Sequence, residues 1–306
     1  MTTVLTSGSF MLPGLEQWRR ARTEQIGEVL GTSFNTANPS GRPITHAIAH
    51  HLLEGAEQAA HDRDEDLFAW YRRTGTRDLA YLLATGAAGT STHLLLNPDH
   101  RDLLRSPLSE TAYYLVRPDT AQAETVARDL LPAALDSAAE HGFGPLLEQH
   151  APVICLLEHR DLADALFSWS ITRLPGTVFT DYTDHHEILA RDLIHEAGHH
   201  WLNDALALAA AELPEDVTFY SPWRRTERPV FGFLHACWAF SLTMIYSARA
   251  LEHSGSAART FLANYLTEQR SLLMDAVPTL TKAIGFIKDE AMRGRLASTV
   301  TAAMRS

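Results

Sequence analysis

Cysteine is scarce in this chain: Cys155 and Cys237 are the only two thiols among 306 residues. Two cysteines cannot form the disulfide framework that stabilises many small secreted proteins, and they indicate a reducing compartment. Neither is accompanied by the histidine and asparagine pattern of a thiol nucleophile, so we expect both to be small buried residues. The first residues also lack the basic segment and apolar stretch of a secretion signal. We therefore expect a cytoplasmic protein.

Positive charge and long hydrophobic runs are also in short supply. With 26 basic and 37 acidic residues, the formal net charge is −11. This charge argues against a non-specific nucleic-acid binder and against attachment to an anionic membrane surface. The longest apolar-leaning run, 234–246, is interrupted by His235 and Ser241 and is predicted to be too short to span a bilayer. We expect neither nucleic acid nor membrane as a partner.

Helical periodicity dominates the sequence, and no internal repeat or low-complexity tract interrupts it. Three short stretches, 153–157, 167–171 and 177–180, have the apolar or alternating pattern of strands. Together these patterns predict an α+β, predominantly helical fold with a small central sheet and a metal site between two packed helices. Helices are predicted within residues 1–30 behind Pro13, near 44–60 and 65–84, over 109–150 with a break at Pro118, and near 185–212, 230–252, 256–275 and 278–304.

The chain is predicted to divide near residues 145–152. Residues 1–150 would form a helical N-terminal subdomain that could bind a peptide, and residues 151–306 would form a metal-binding catalytic domain. No clear linker marks this boundary, so one continuous domain is the alternative.

Residues His195 to His199 form an H-E-x-x-H motif within a stretch of helical periodicity. On a helix, residues four apart lie on the same face, so His195 and His199 can offer two imidazoles to one metal ion. Glu196, next to the first ligand, is the predicted catalytic residue. Gly198 costs about 1 kcal/mol relative to alanine inside a helix, which predicts a close approach of another backbone or a ligand. The alternative interpretation is a pair of surface histidines.

A metal site of this kind needs a third protein ligand. The extended zincin signature would have glycine and histidine where this chain has Leu202 and Ala205, and the Asn-Glu signature of glutamate zincins does not follow either. Pro229 suits the first turn of a helix, which would place His235 one to two turns inside an apolar helix. His235 is therefore the predicted third ligand, with a buried structural histidine as the alternative. The remaining candidates are acidic: Glu212, Glu215, Asp216 and Glu227.

Three arginines, Arg224, Arg225 and Arg228, cluster between the two predicted metal-binding helices of this acidic chain. A guanidinium group can bind a carboxylate through two parallel hydrogen bonds. We predict that one arginine reaches the site, with Arg228 as the first choice and Arg224 as the second. Tyr220 completes the cofactor-binding candidates. The alternative is a solvated basic loop.

A second histidine pair, His46 and His50 followed by His51, repeats the four-residue spacing. It lacks the glutamate and an evident third ligand, so we interpret it as a structural or exposed helix face. His200, beside the motif, is predicted to lie on a different face of its helix and not to bind the ion.

Five segments in combination are more specific than H-E-x-x-H alone: PGTV at 175–178, LIHEAGH at 193–199, YSPWR at 220–224, RP at 228–229 and GFLHACWAF at 232–240. Together they resemble the HExxH-motif domain of peptide-modification systems. That family is regarded as iron(II)/2-oxoglutarate-dependent β-hydroxylases of ribosomally made peptides (RiPP biosynthesis). The resemblance covers residues 150–250, and the N-terminal part matches only loosely. The doubled histidine, His199-His200, departs from the family pattern.

The resemblance implies a helical fold that holds a mononuclear metal by His195, His199 and His235. It also implies iron(II) and 2-oxoglutarate as cofactors, an arginine that grips the distal carboxylate, and a peptide substrate with a leader segment. A facial site with three protein ligands leaves positions open for a 2-oxo acid and dioxygen. Imidazoles suit iron and zinc alike, so ligand type does not choose the metal.

Three functions remain open from the sequence. The first is a peptide hydroxylase, an oxidoreductase of the dioxygenase type, in which Glu196 orients a ligand or a metal-bound water. The second is a zinc metallopeptidase, in which Glu196 is the general base and Tyr220 or another histidine stabilises the oxyanion. The third is a degenerate metal fold that only binds a peptide. The arginine cluster favours the first, because a zinc protease needs no cosubstrate clamp.

Overall fold

The computed structural model describes residues 7–34, 42–82, 93–106 and 109–306. Most of these residues are helical and a minority form a small mixed sheet and two hairpins, which confirms the predicted α+β, predominantly helical class. The helices are α1 (Leu15–Leu30), α2 (Arg42–Asp62), α3 (Glu65–Arg73), α4 (Thr125–Glu140), α5 (Gly144–His150), α6 (His186–Leu208), α7 (Val230–Ala250), α8 (Ser256–Ile284) and α9 (Glu290–Ala303). The strands are β1 (Leu94–Leu96), β2 (Leu104–Ser106), β3 (Ser109–Tyr113), β4 (Val153–His159), β5 (Ser168–Ser170), β6 (Thr177–Tyr182), β7 (Thr218–Ser221) and β8 (Thr226–Pro229).

The described residues pack into two compact units. The helical unit combines the segment that ends at Leu12 with Ala134–Leu146 and His185–Ser306. The sheet unit combines Pro13–Ala133 with Leu147–Asp184. The expected division into residues 1–150 and 151–306 stays a prediction, because a packing unit need not be a domain that folds by itself.

The sheet unit is built around four strands in the order β1-β4-β6-β5. Strands β1, β4 and β6 run parallel, and β5 pairs antiparallel with β6 at the edge. All of β1 and the first five residues of β4 are buried, as expected of parallel strands covered on both faces. The three predicted strands are confirmed. Strand β1 was not predicted, because three leucines show no alternation.

Three of the predicted helix boundaries are wrong. The helix expected over residues 65–84 ends at Arg73, where Thr74 caps it in an extended conformation. The helix expected from residue 109 does not begin there, because Ser109–Tyr113 pairs with the neighbouring β2 as an antiparallel strand. The break expected between residues 275 and 278 is also absent, since α8 continues through Pro278. Leu273 and Leu280 are buried on either side of the proline, and this continuous packed stripe keeps the helix in one piece.

The second histidine pair lies on a buried face of α2, which agrees with its structural interpretation. Nδ1 of His46 lies 3.0 Å from the hydroxyl of Thr23, and Nε2 of His51 lies 3.0 Å from the hydroxyl of Thr177. Burial and the charge of His50 lower the pKa of His51 to about 3. His51 is therefore a neutral side chain of the core.

The helical unit packs α6, α8 and α9 around α7. Among the described residues, α7 is the one helix whose length and composition would suit a membrane span. The prediction that this apolar run is too short is therefore wrong, because the helix extends to 21 residues. Most of α7 is buried by its neighbours, and this burial accounts for its apolar composition.

Candidate metal centre

Helix α6 places the two histidines of the motif one turn apart on the same face. Their Nε2 atoms lie 3.2 Å apart. One nitrogen of His195, one nitrogen of His199 and a carboxylate oxygen of Glu196 all lie within 4.8 Å of one another. Because metal–nitrogen bonds are about 2.0–2.1 Å long, the two imidazoles are close enough to share an ion. Both histidines are half-buried and Glu196 is buried.

Gly198 lets α7 approach the motif closely, as its unfavourable helix propensity predicted. A Cβ atom at this position would lie 2.9 Å from Cδ1 of Leu242 and 3.7 Å from Cα of Ala239. The indole of Trp238 donates a hydrogen bond of 3.0 Å to the carbonyl oxygen of Gly198. The contact between α6 and α7 therefore uses the backbone of the motif itself.

Helix α7 brings His235 against the Nδ1 edge of the His199 ring, whereas His195 meets the Nε2 edge. The two Nδ1 atoms lie 3.0 Å apart and the rings stack with a centroid separation of 5.1 Å. His199 thus presents Nε2 to His195 and Nδ1 to His235. The Nε2 atom of His235 is buried and hydrogen-bonds to none of the described residues. The assignment of His235 as third ligand remains a prediction.

Burial sets the charge state of the three imidazoles. It is the largest cause of the lowered pKa at each, and it takes His195 and His235 well below 6.5 and His199 to about 3. Neighbouring charges act in the same direction. At His195 they are His199, Arg191 and Arg224; at His199, His200 and Arg228; at His235, His199, His200, Arg228 and His195.

These donors fit a divalent transition metal. Neutral imidazole is the form that binds metals, and the orphaned Nε2 of His235 adds a buried donor without a partner. Among the described residues, the group of donor atoms within 4.8 Å of one another includes neither His235 nor its acidic alternatives Glu212, Glu215, Asp216 and Glu227.

An aromatic wall supports His195. The ring of Phe240, on α7, meets the His195 ring edge-on at 4.7 Å. Trp223 stacks on Phe240 at 4.8 Å with the ring planes 2° from parallel, and its indole donates a hydrogen bond of 2.8 Å to Oε1 of Gln269 on α8. Phe240 and Gln269 were not predicted as parts of the site, because they meet Trp223 only through long-range packing.

The arginine cluster lies at the hairpin of β7 and β8. Arg224 and Arg225 are exposed in its turn, whereas Arg228, on β8, is half-buried. Among the described residues, no carboxylate or carbonyl oxygen accepts a hydrogen bond from any of the three guanidinium groups. Tyr220 is 51% exposed and pairs across the hairpin with Glu227. Arg224 acts electrostatically on His195, and Arg228 acts on His199 and His235, whereas no contact within the described part of the chain links Tyr220 to these histidines.

A fourth arginine, which the sequence analysis did not single out, lies on the histidine face of α6. Arg191 precedes His195 by one turn and is only 6% exposed. Its Nε and Nη2 donate to Oδ1 of Asp192 at 2.9 and 2.6 Å, and its guanidinium lies 4.9 Å from the Phe261 ring centre and 4.7 Å from that of Tyr265. Its four-residue spacing from His195 was the available signal. Because Asp192 neutralises it, Arg191 is less suited than Arg228 to bind an anion.

Comparison of the chain with protein-family models and with curated proteins gave no match.

Proposed function

We propose that this protein is an iron(II)/2-oxoglutarate-dependent oxygenase that hydroxylates a side chain, at Cβ, of a ribosomally made peptide in the cytoplasm. The observation that carries the proposal is an arginine, unpaired among the described residues, whose guanidinium lies against Gly232, three residues before His235 on α7. Arg228 acts electrostatically on both His199 and His235 and has no acidic partner among the described residues. The motif resemblance adds the substrate class.

Each residue then has a defined task. His195, His199 and His235 would hold the ion, and Arg228, with Arg224 as second choice, would bind the far carboxylate of 2-oxoglutarate. With iron bound, the centre supplies the oxidation: a C–H group, dioxygen and 2-oxoglutarate become an alcohol, succinate and carbon dioxide. Glu196 orients a ligand or water at the ion, and the wall of Phe240 and Trp223 keeps solvent from His195.

Succinate release tests the proposal directly. The protein is loaded with iron(II) without oxygen, supplied with 2-oxoglutarate and then exposed to air, with and without candidate peptides. We expect succinate to form in the wild type and not in His195→Ala. A matched control is His61→Ala, which removes an exposed histidine of α2 in the sheet unit. Absence of both peptide-stimulated and uncoupled turnover in the wild type would reject the oxygenase.

The placement of Glu196 favours a zinc metallopeptidase as the second candidate. Its carboxylate lies within 4.8 Å of the nitrogens of His195 and His199, where a general base for a zinc-bound water would stand. Under this alternative the purified protein would retain zinc and cleave peptides, and Glu196→Gln would abolish cleavage but keep the metal. Tightly held zinc without any peptide cleavage would count against it.

A further inference from the structure

The guanidinium group of Arg228 lies directly on the backbone of α7. Arg228 lies on β8, just before α7 begins at Val230. Gly232 is the third residue of α7, four positions after Arg228. A Cβ atom at Gly232 would lie 2.9 Å from both Nε and Nη2 of Arg228 and 3.0 Å from its Cζ. Since real Cβ contacts are longer than this, the guanidinium occupies the space that any other residue would fill.

The main chain around this contact is fixed on both sides. Arg228 pairs across the hairpin with Phe219, whose ring packs against Phe233 of α7 at 5.4 Å. Pro229 then occupies the N-cap position of the helix, with φ −51° and ψ 153°. Anchored at its backbone and seated on Gly232, the long arginine side chain loses much of its rotational freedom before any ligand arrives, which lowers the entropic cost of binding.

The positive charge of the Arg228 guanidinium is available to bind an anion. The described residues around it provide no carboxylate partner, in contrast to Arg191, which is bonded to Asp192. It is half-buried, so solvent screens it less than the exposed Arg224 and Arg225. Its charge also reaches His199 and His235. Because Gly232 and His235 are three residues apart on α7, they are neighbours on its surface, so an anion bound at the guanidinium would lie near His235.

We propose that Gly232 is a positioning residue whose missing side chain seats the Arg228 guanidinium on the first turn of α7, where it binds the carboxylate of the cosubstrate. The identity of that carboxylate as 2-oxoglutarate rests on the proposed function. The seat itself does not, because it depends only on the contact between Arg228 and Gly232.

Gly232→Ala separates positioning from folding. The atom in the way is the end of a flexible side chain, so the helix is expected to keep its place and its thermal unfolding midpoint to stay the same or rise, as alanine favours helix. The dissociation constant of 2-oxoglutarate for the iron-loaded, oxygen-free protein is expected to rise roughly 10- to 100-fold, as for loss of a charge-assisted hydrogen bond. Gly294→Ala, at an open helical position with nothing within 4 Å, is the control and should bind normally.

A double-variant cycle tests whether Gly232 acts through Arg228. Arg228→Ala should weaken binding at least as much as Gly232→Ala, and the double variant should bind no worse than Arg228→Ala alone. Additive losses, or a Gly232→Ala variant within twofold of wild type, would overturn the positioning role.

A second measurement does not depend on any cofactor. Modification of Arg228 by phenylglyoxal, followed by mass spectrometry in the metal-free protein, should be several-fold faster in Gly232→Ala than in wild type or Gly294→Ala. An unchanged rate would overturn the seat even if the enzyme is an oxygenase. A faster rate in a protein that binds no 2-oxoglutarate would retain the seat and reject the oxygenase.

Discussion

Replacement of Gly198 by alanine should destabilise the helical unit and disturb the metal centre together. The new Cβ would lie 2.9 Å from Cδ1 of Leu242, whereas carbon atoms in contact prefer about 3.5–4.0 Å. Leu242 is fully buried, so either its side chain or the α6–α7 spacing must shift by roughly half an ångström. Overpacking of this kind costs about 1–3 kcal/mol, and the helix propensity of alanine returns about 1 kcal/mol.

The matched substitution is Gly294→Ala, which should stabilise the same unit. Gly294 is an exposed interior residue of α9 with nothing within 4 Å of a built Cβ, so only the propensity gain of about 1 kcal/mol applies. Urea unfolding should thus place Gly198→Ala about 1–3 kcal/mol below Gly294→Ala. Calorimetric titration should also show weaker iron or zinc binding in Gly198→Ala alone, because the substitution pushes α7, which carries His235, away from α6. Equal stabilisation by both substitutions would refute the close-packing argument.

Three further outcomes are expected. Gly55→Ala should destabilise the sheet unit by more than Gly198→Ala does the helical unit, because its Cβ would lie 2.1 Å from the ring of the buried Tyr71; a gain in urea midpoint would contradict this. The pKa of His51 is about 3 when folded and 6.5 otherwise, so its unfolded form takes up a proton below pH 6.5 and stability falls as pH drops towards 3, by at most about 1.4 kcal/mol per pH unit. His51→Gln should flatten that dependence in urea titrations at several pH values, and an unchanged slope would contradict burial of a neutral ring. His235→Leu should change metal-free stability by less than about 1 kcal/mol, because it removes the orphaned Nε2, yet abolish the rise in unfolding temperature on metal addition; a retained rise would remove His235 from the ligands.

The sequence predicted what depends on short-range pattern and missed what depends on distant packing. The apolar run at 153–157 and the segment after the turn at Pro175-Gly176 predicted two of the strands, though not their parallel pairing, and the four-residue spacing of His195 and His199 predicted their shared face. Nothing local distinguishes the short strands of the hairpins. Likewise, Gln269 joins the site only through Trp223, a partner 46 positions away. Gly198 could be noticed because glycine is costly in a helix, whereas Gly232 lies near a helix start, where the same residue attracts no attention.

Three neutral imidazoles cannot satisfy all of their hydrogen-bonding groups by bonding only to one another. A neutral imidazole has one N–H and one acceptor nitrogen. The contacts from His195 to His199 and from His199 to His235 can both be satisfied if the N–H groups point the same way along the series. In either direction Nε2 of His235 is left buried without a partner, at a cost of about 1–3 kcal/mol. A cation bonded to that Nε2 would remove this cost, whereas an ion held only by the Nε2 atoms of His195 and His199 would not, because His235 meets the Nδ1 edge of the His199 ring.

Once a cation is present, Arg228 becomes the second positive group in the same region. Like charges repel more strongly in a partly buried site than in water. Asp192, three residues before the motif, is already bonded to Arg191, which leaves the Glu196 carboxylate, within 4.8 Å of the histidine nitrogens, to balance the ion. A ligand with two carboxylates can meet both charges at once, one end at the ion and the other at the guanidinium. A water-activating zinc site would leave Arg228 without a counter-ion, so the electrostatics of the site favour a dicarboxylate cosubstrate over simple hydrolysis.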